Sequence, residues 1–298
     1  MRVTVIGLGL IGGSIAIDLR KSGVATRLTG VDQNDDHASE ALRLGIVDEI
    51  KCLDEAIINT DLIILAIPVS AMVGAIGDLL SRVTPEVTLI DMGSTKAAIC
   101  KSIRLQRNRG QFVAAHPIAG TENSGPGAAF SGLFNKKTLI VCEKELSSYS
   151  ALRVADKVFA AMGVKTIFME PVAHDRHVAY VSHLSHVSSF LLGQTVMDIE
   201  KDEKNIFDLA GSGFASTVRL AKSSPDMWAP IFEQNVEYLS QALLEYIMHL
   251  QRFHYHLMKG DSKEIHRIMT EANEIRRVLA GIELKDEKTN NVESLIEE

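Results

Sequence analysis

Residues 2–6, Arg-Val-Thr-Val-Ile, run directly into Gly7-Leu8-Gly9-Leu10-Ile11-Gly12. A β-branched run that stops at glycine signals a buried strand. G-x-G-x-x-G placed straight after it is the turn that opens a helix onto a dinucleotide. Gly7 permits the tight turn, Gly9 lets the backbone approach a pyrophosphate, and Gly12 lets helix and strand pack closely. Leu8, Leu10 and Ile11 complete the loop and the helix N-terminus, whose free N–H groups face the phosphates. The pattern alone is weak, but Asp32 closes the next β segment, twenty residues past Gly12. A carboxylate there accepts from ribose hydroxyls and repels a 2′-phosphate. The following Gln33-Asn34-Asp35-Asp36 offers no Arg or Lys to hold one. The expected cofactor is NAD, with NADP disfavoured.

Further strands are expected near 28–31, 62–67, 87–91, 112–115, 138–141 and 166–169, with helical patterns between most of them. That alternation predicts an α/β fold: a mainly parallel, doubly wound Rossmann-type sheet with helices on both faces. After Glu170-Pro171 the pattern is helical only, so the expected division is a dinucleotide-binding domain over 1–170 and an all-α domain over 171–283. The charged stretch 284–298 is expected to be a mobile tail. Phe232, Val236, Leu239, Leu243, Tyr246, Leu250, Phe253 and Leu257 alternate at spacings of four and three, an a/d seam. Beyond Lys259-Gly260-Asp261 it continues through Ile265, Ile268, Ala272, Ile275, Leu279 and Ile282, which predicts a helical hairpin closed by Gly260. A seam this long suits a second copy of the chain, hence a homodimer through the C-terminal helices. A helix buried within the monomer is the alternative.

With 298 residues, 46% hydrophobic and 23% charged, the composition is that of a globular protein with a sizeable core. The net charge of −7 argues against nucleic acid or an anionic membrane as partner. No apolar run is long enough to span a bilayer. Three cysteines without CxxC spacing read as reduced thiols. The apolar N-terminus lacks a small-residue cleavage pattern and carries the nucleotide glycines instead, so the expected location is the cytoplasm.

The chemistry centres on His116-Pro117-Ile118-Ala119-Gly120-Thr121-Glu122-Asn123-Ser124-Gly125. A histidine leaving a strand into a Gly/Ser-rich loop lies where an α/β sheet presents its ligands. Its unperturbed pKa, near neutrality, suits it to take the proton of a hydroxyl as the carbon is oxidised. His174, His177, His183 and His186 invite a metal reading. On a continuous helix, positions nine apart lie on opposite sides, so no metal is expected.

The glycine loop, Asp91-Met92-Gly93-Ser94-Thr95-Lys96, the His116 loop, His183-Leu184-Ser185-His186 and Gly211-Ser212-Gly213-Phe214 leading to Arg219 occur together in this order. Together they resemble the prephenate dehydrogenase family of tyrosine biosynthesis. The resemblance implies oxidative decarboxylation of prephenate with NAD, with His116 as base and Ser94 near the substrate hydroxyl. Ser94 also reads as a helix cap. The resemblance further implies that Ile67 and Pro68 lie beside the nicotinamide half, and that Glu122 lines the loop, bridging to a substrate-side histidine or covering the site. It gives His186 to the substrate side and Arg219 to the ring carboxylate, and it places Trp228 near the site, where a core anchor is the alternative reading. Ala215-Ser216-Thr217 departs from the charged residues often found there, which bears on how Arg219 is braced. The rival readings are arogenate dehydrogenase, a 3-hydroxyacid dehydrogenase, which would normally use a catalytic lysine, and a non-catalytic NAD-binding dimer.

Overall fold

The computed structural model describes residues 1–203 and 205–281. Ile282 of the apolar seam and the tail 284–298 lie outside the described residues. Two compact units divide at Leu239 and Ser240.

The first unit begins with β1 (Arg2–Ile6), α1 (Leu10–Lys21), β2 (Arg27–Val31), α2 (Asp35–Arg43), β3 (Glu49–Ile50) and α3 (Leu53–Ala56). It continues with β4 (Leu62–Leu65), α4 (Val69–Arg82), β5 (Thr88–Asp91), α5 (Ala97–Ile103) and β6 (Phe112–Pro117). β7 (Thr138–Cys142), α6 (Tyr149–Met162) and β8 (Lys165–Met169) complete the sheet. The strand order is β3-β2-β1-β4-β5-β6-β7-β8, the doubly wound order that reverses beside β1. All pairs are parallel except β6 with β7. Those two are joined without a crossover helix, which is what an antiparallel pair requires. The two-residue β3 was too short to leave a periodic signal.

Strands of this sheet are buried on both faces, so they read as continuous apolar runs. In β4, Leu62 and Ile64 enter one core with Val3, Val5, α1 and α6. Ile63 and Leu65 enter the other with α4, α5 and Trp228. The same alternation puts Val113 and Ala115 in the first core and Phe112 and Ala114 in the second. His116 therefore shares the face of Phe112 and Ala114.

From Pro171 onward the described residues contain helices and turns only: α7 (Pro171–Val178), a π-helical turn (Ala179–His183), α8 (Leu184–Asp202), α9 (Ser212–Thr217) and α10 (Pro225–Gln234). These belong to the first unit. α11 (Val236–Met258) leads into the second unit, which also holds α12 (Ser262–Ala272). The seam expected from Phe232 onward is not one helix: Asn235 breaks it (φ −109°, ψ 27°). Gly260 (φ +64°) closes the expected hairpin, and the Asp261 side chain caps α12 by accepting from the Glu264 N–H. Among the described residues no helix is long and apolar enough to cross a membrane.

Candidate active site

At the switch point the three loop glycines are used differently. A Cβ on Gly7 would stand 2.4 Å from the Ala66 carbonyl oxygen, and one on Gly12 would stand 1.9 Å from the Gly7 oxygen. Both pack the loop against itself and against β4. A Cβ on Gly9 would meet nothing within 4 Å. Gly9 is also the N-cap of α1 and gives no side-chain cap, so the first N–H groups at Leu10 and Ile11 keep their hydrogens for a ligand. Asp32 Oδ2 accepts from the Leu8 N–H at 2.8 Å, and Oδ1 accepts from the Asn34 N–H at 2.9 Å. The carboxylate is thus tied to the glycine loop at the end of β2, and each oxygen keeps a lone pair. Ile67 is half-buried and Pro68 exposed, just beyond β4. An open concave backbone, a helix N-terminus and a fixed acceptor fit a dinucleotide.

His116 lies within β6, which runs two residues further than the sequence suggested. β7 holds it there by pairing His116 with Ile140 and Pro117 with Leu139. On the sheet's second face, His116 Nδ1 is 2.8 Å from Nε2 of His174 on α7. His174 Nδ1 is 2.7 Å from Asp175 Oδ1. Asp175 reaches back to the Ser94 loop, accepting from the Lys96 N–H at 2.7 Å and the Ala97 N–H at 2.9 Å. It therefore caps α5, the task that Ser94 was expected to be able to perform. The Ser94 side chain, half-buried, has no hydrogen-bonding partner among the described residues. Below it, the fully buried Lys96 ammonium lies 2.5 Å from Asp91 Oδ2. Asp91 also accepts from the N–H groups of Gly93 and Ala115, which ties the loop to β6.

Burial pushes the His116 imidazole well below its ordinary value, and Lys96, with the His174 and His183 rings whenever they are protonated, acts the same way. Burial also lowers His174, against the opposing hydrogen bond to Asp175. His183 falls to about 4, again through burial. The four helical histidines are not on a regular helix. The π turn over 179–183 shifts the phase, and both His174 and His183 are buried although nine residues apart. Asn235 joins them: its amide donates to the Asp175 carbonyl at 2.7 Å and faces His183 Nδ1 at 3.1 Å. Among the described residues no group of three or more His, Cys, Asp or Glu side chains is placed to hold a metal ion.

His186 stacks on Trp228 with ring centroids 3.5 Å apart, and its Nδ1 faces the Ser182 carbonyl. Trp228 is buried in the second core, and its indole N–H has no partner among the described residues. Arg219 is exposed and opens a single 3-10 turn rather than a helix. Pro225 starts the next helix, and the residues before it are extended. Its guanidinium pairs with Glu122 at 3.3 Å. Glu122 therefore meets the arginine, not a histidine. The sequence reading named His174 only as a metal candidate and gave no role to Asp175, Asp91 or Lys96. Their one signal was a pair of titratable neighbours, His174-Asp175, one turn into a proline-started helix.

A nucleotide loop at the switch point of a parallel sheet, with a buried histidine cluster at the same edge, defines a dehydrogenase built on a dinucleotide-binding sheet. A family model described as prephenate dehydrogenase, nucleotide-binding domain, matches residues 15–168, and one described as prephenate dehydrogenase, dimerization domain, matches 170–271. The chain belongs to the prephenate dehydrogenase family. It is 29% identical to the prephenate dehydrogenase of Bacillus subtilis over 91% of this chain and 74% of that protein. Among solved structures it is similar to prephenate dehydrogenase from Aquifex aeolicus in complex with hydroxyphenyl propionate and NAD+ (29% identity, TM-score 0.85, covering 94% and 98% of the two chains). It is also similar to Synechocystis arogenate dehydrogenase (27% identity, TM-score 0.73, covering 94% and 100%).

Proposed function

We propose that this chain oxidises prephenate with NAD, giving 4-hydroxyphenylpyruvate, CO2 and NADH. The observation that carries the reading is His116, half-buried on β6, backed by His174 and set at the same sheet edge as the open glycine loop. The residues of the loop 7–12 and Asp32 would hold NAD, which supplies the hydride acceptor when bound. His116 takes the proton of the ring hydroxyl as that carbon becomes a carbonyl, and Ser94, with its hydroxyl uncommitted, orients the same group. The C–C bond to the ring carboxylate then breaks. Its electron pair enters the ring, and His116 returns the proton to the oxygen that becomes phenolic. Arg219 holds the ring carboxylate until it leaves. An exposed ion pair contributes little, so Glu122 yields the guanidinium readily to a substrate carboxylate. His186, stacked on Trp228, lines the substrate side. The chain acts as a homodimer through its C-terminal helices, whose outward apolar residues support that assembly.

NADH formation followed with prephenate and arogenate in parallel tests this reading, with His116→Asn as control. Prephenate is expected to be the better substrate. The variant should keep NAD affinity while turnover falls by roughly 10²–10⁴. Absence of NADH formation with either substrate would overturn the reading, and preference for arogenate would reassign the substrate.

A further inference from the structure

The hydrogens in the Asp175, His174, His116 chain are fixed from its far end. Both Asp175 oxygens accept from backbone N–H groups, Oδ1 from Lys96 and Oδ2 from Ala97, so the carboxylate is held as an acceptor. Asp175 Oδ1 is thus an acceptor, and His174 Nδ1, 2.7 Å away, carries the N–H. In a neutral His174 the other nitrogen, Nε2, is then a bare lone pair. His116 Nδ1, 2.8 Å from it, must be the donor, which leaves His116 Nε2 without a hydrogen. Burial disfavours the charged form of both rings, which keeps them neutral in the resting protein.

We propose that His174 and Asp175 are positioning residues that lock His116 in its Nδ1–H tautomer, aim its bare Nε2 at the substrate, and take up the charge when a proton arrives. The two hydrogen bonds are the whole device. When Nε2 of His116 gains the substrate proton, the Nδ1 hydrogen can move to His174 Nε2. The positive charge then rests on the ring in contact with the Asp175 carboxylate. The surrounding charges explain why such a device is needed. Burial disfavours a positive charge on His116, and Lys96 opposes one beside it. Asp91 partly offsets Lys96, to which it is paired, and Asp175 is the acceptor that reaches His116 through a hydrogen-bonded ring. Asp175 also caps α5 and receives the Asn235 amide on its carbonyl. One residue thus fixes both the Ser94 loop and the tautomer of the base.

The charge-sharing half rests on His116 being the proton acceptor of the proposed function, and the tautomer half does not. Nitrogen-15 NMR of the histidine-labelled whole protein, assigned with His116→Asn and His174→Gln, reads the tautomers directly. Nδ1–H signals are expected for both His116 and His174 in the wild type. A His116 ring carrying its hydrogen on Nε2 would overturn the lock. In kinetics, His174→Phe should lower kcat/KM on the order of ten- to a hundredfold, part of the worth of a general base, with KM for NAD unchanged. Protonated His116 loses its support in that variant, so the acid limb of the pH profile should move to lower pH, by about one unit if the support equals a single hydrogen bond. His174→Gln, which keeps an acceptor, should recover part of the rate. Equal losses in both variants with the acid limb unmoved would reduce His174 to a packing role and overturn the charge-sharing half. A wild type with Nδ1–H signals but no dehydrogenase activity would leave the lock intact and remove the proposed function instead.

Discussion

Arg219 and Glu122 form an exposed pair, one from the 3-10 turn after α9 and the other from the loop after β6. In a chain of net charge −7, a dianionic substrate needs a local cation. A guanidinium fork fixes a carboxylate's plane where an ammonium does not. Arg219→Ala is expected to lower kcat/KM for prephenate by roughly ten- to a hundredfold, the loss of a charge-assisted hydrogen bond worth about 1.5–3 kcal/mol. NAD affinity should stay unchanged. A change under threefold would place the carboxylate elsewhere. His183 gives a different prediction. Folded, it titrates near 4, and its ordinary value is 6.5. Between those values the unfolded chain binds a proton that the folded one refuses. Its contribution to stability is therefore full above pH 6.5 and lost as pH falls toward 4, in total about 3 kcal/mol. Urea midpoints measured from pH 7 to 4.5 should fall, and His183→Gln should flatten part of that fall. An identical slope in the variant would show that His183 is not the titrating group.

At the scale of elements, the β1–α1 turn holds two kinds of glycine within one motif. Gly12 has no room for a methyl group, and Gly9 has open space on the side where a ligand would lie. Gly9 also has φ −69°, a conformation alanine adopts freely. Gly9→Ala is therefore expected to leave thermal stability unchanged or slightly raised and yet weaken NAD binding about tenfold or more, because the methyl group occupies the pyrophosphate's approach. Gly12→Ala should lower stability outright, since its Cβ would overlap the Gly7 carbonyl. Paired thermal melts and NAD titrations separate the two. Loss of stability in Gly9→Ala, or undiminished NAD binding, would contradict the pyrophosphate placement. The motif itself was legible because its spacing is local. The separate tasks of its glycines were legible with it, and the structure adds the neighbours, Ala66 just beyond β4 and Val5 of β1, that crowd Gly7 and Gly12.

For the whole molecule a large share of the open apolar surface lies on the long helix α11, with more on α8. Leu250 is 51% exposed, Leu257 56% and Met258 74% within a single chain. Leaving such side chains in water forgoes about 25 cal/mol per Å2 of apolar area, which a second copy would recover. A dimer is the expected state at micromolar concentration by light scattering. Leu250→Glu with Leu257→Glu should shift it to monomer while the first unit keeps its fold by circular dichroism. An unchanged mass in that double variant would move the interface away from this helix.

Sequence alone determined the elements whose signals are local. Short β-branched and apolar runs gave seven of the eight strands, the spacing from Gly12 to Asp32 gave the nucleotide edge, and Gly260 gave the hairpin turn. Each depends on residues within a few positions of one another or on a single βαβ unit. The tertiary structure alone decided the contacts at the candidate site. His116 meets His174 across 58 residues, and Arg219 meets Glu122 across 97. The π turn at 179–183 placed His183 in the interior. Asn235 broke the expected continuous helix where its amide serves Asp175 and His183. Periodicity states which face of an element is apolar, but not which element will lie against it. A buried Lys96 or a hydrogen-bonded histidine pair exists only once the layers have packed and water is excluded from between them.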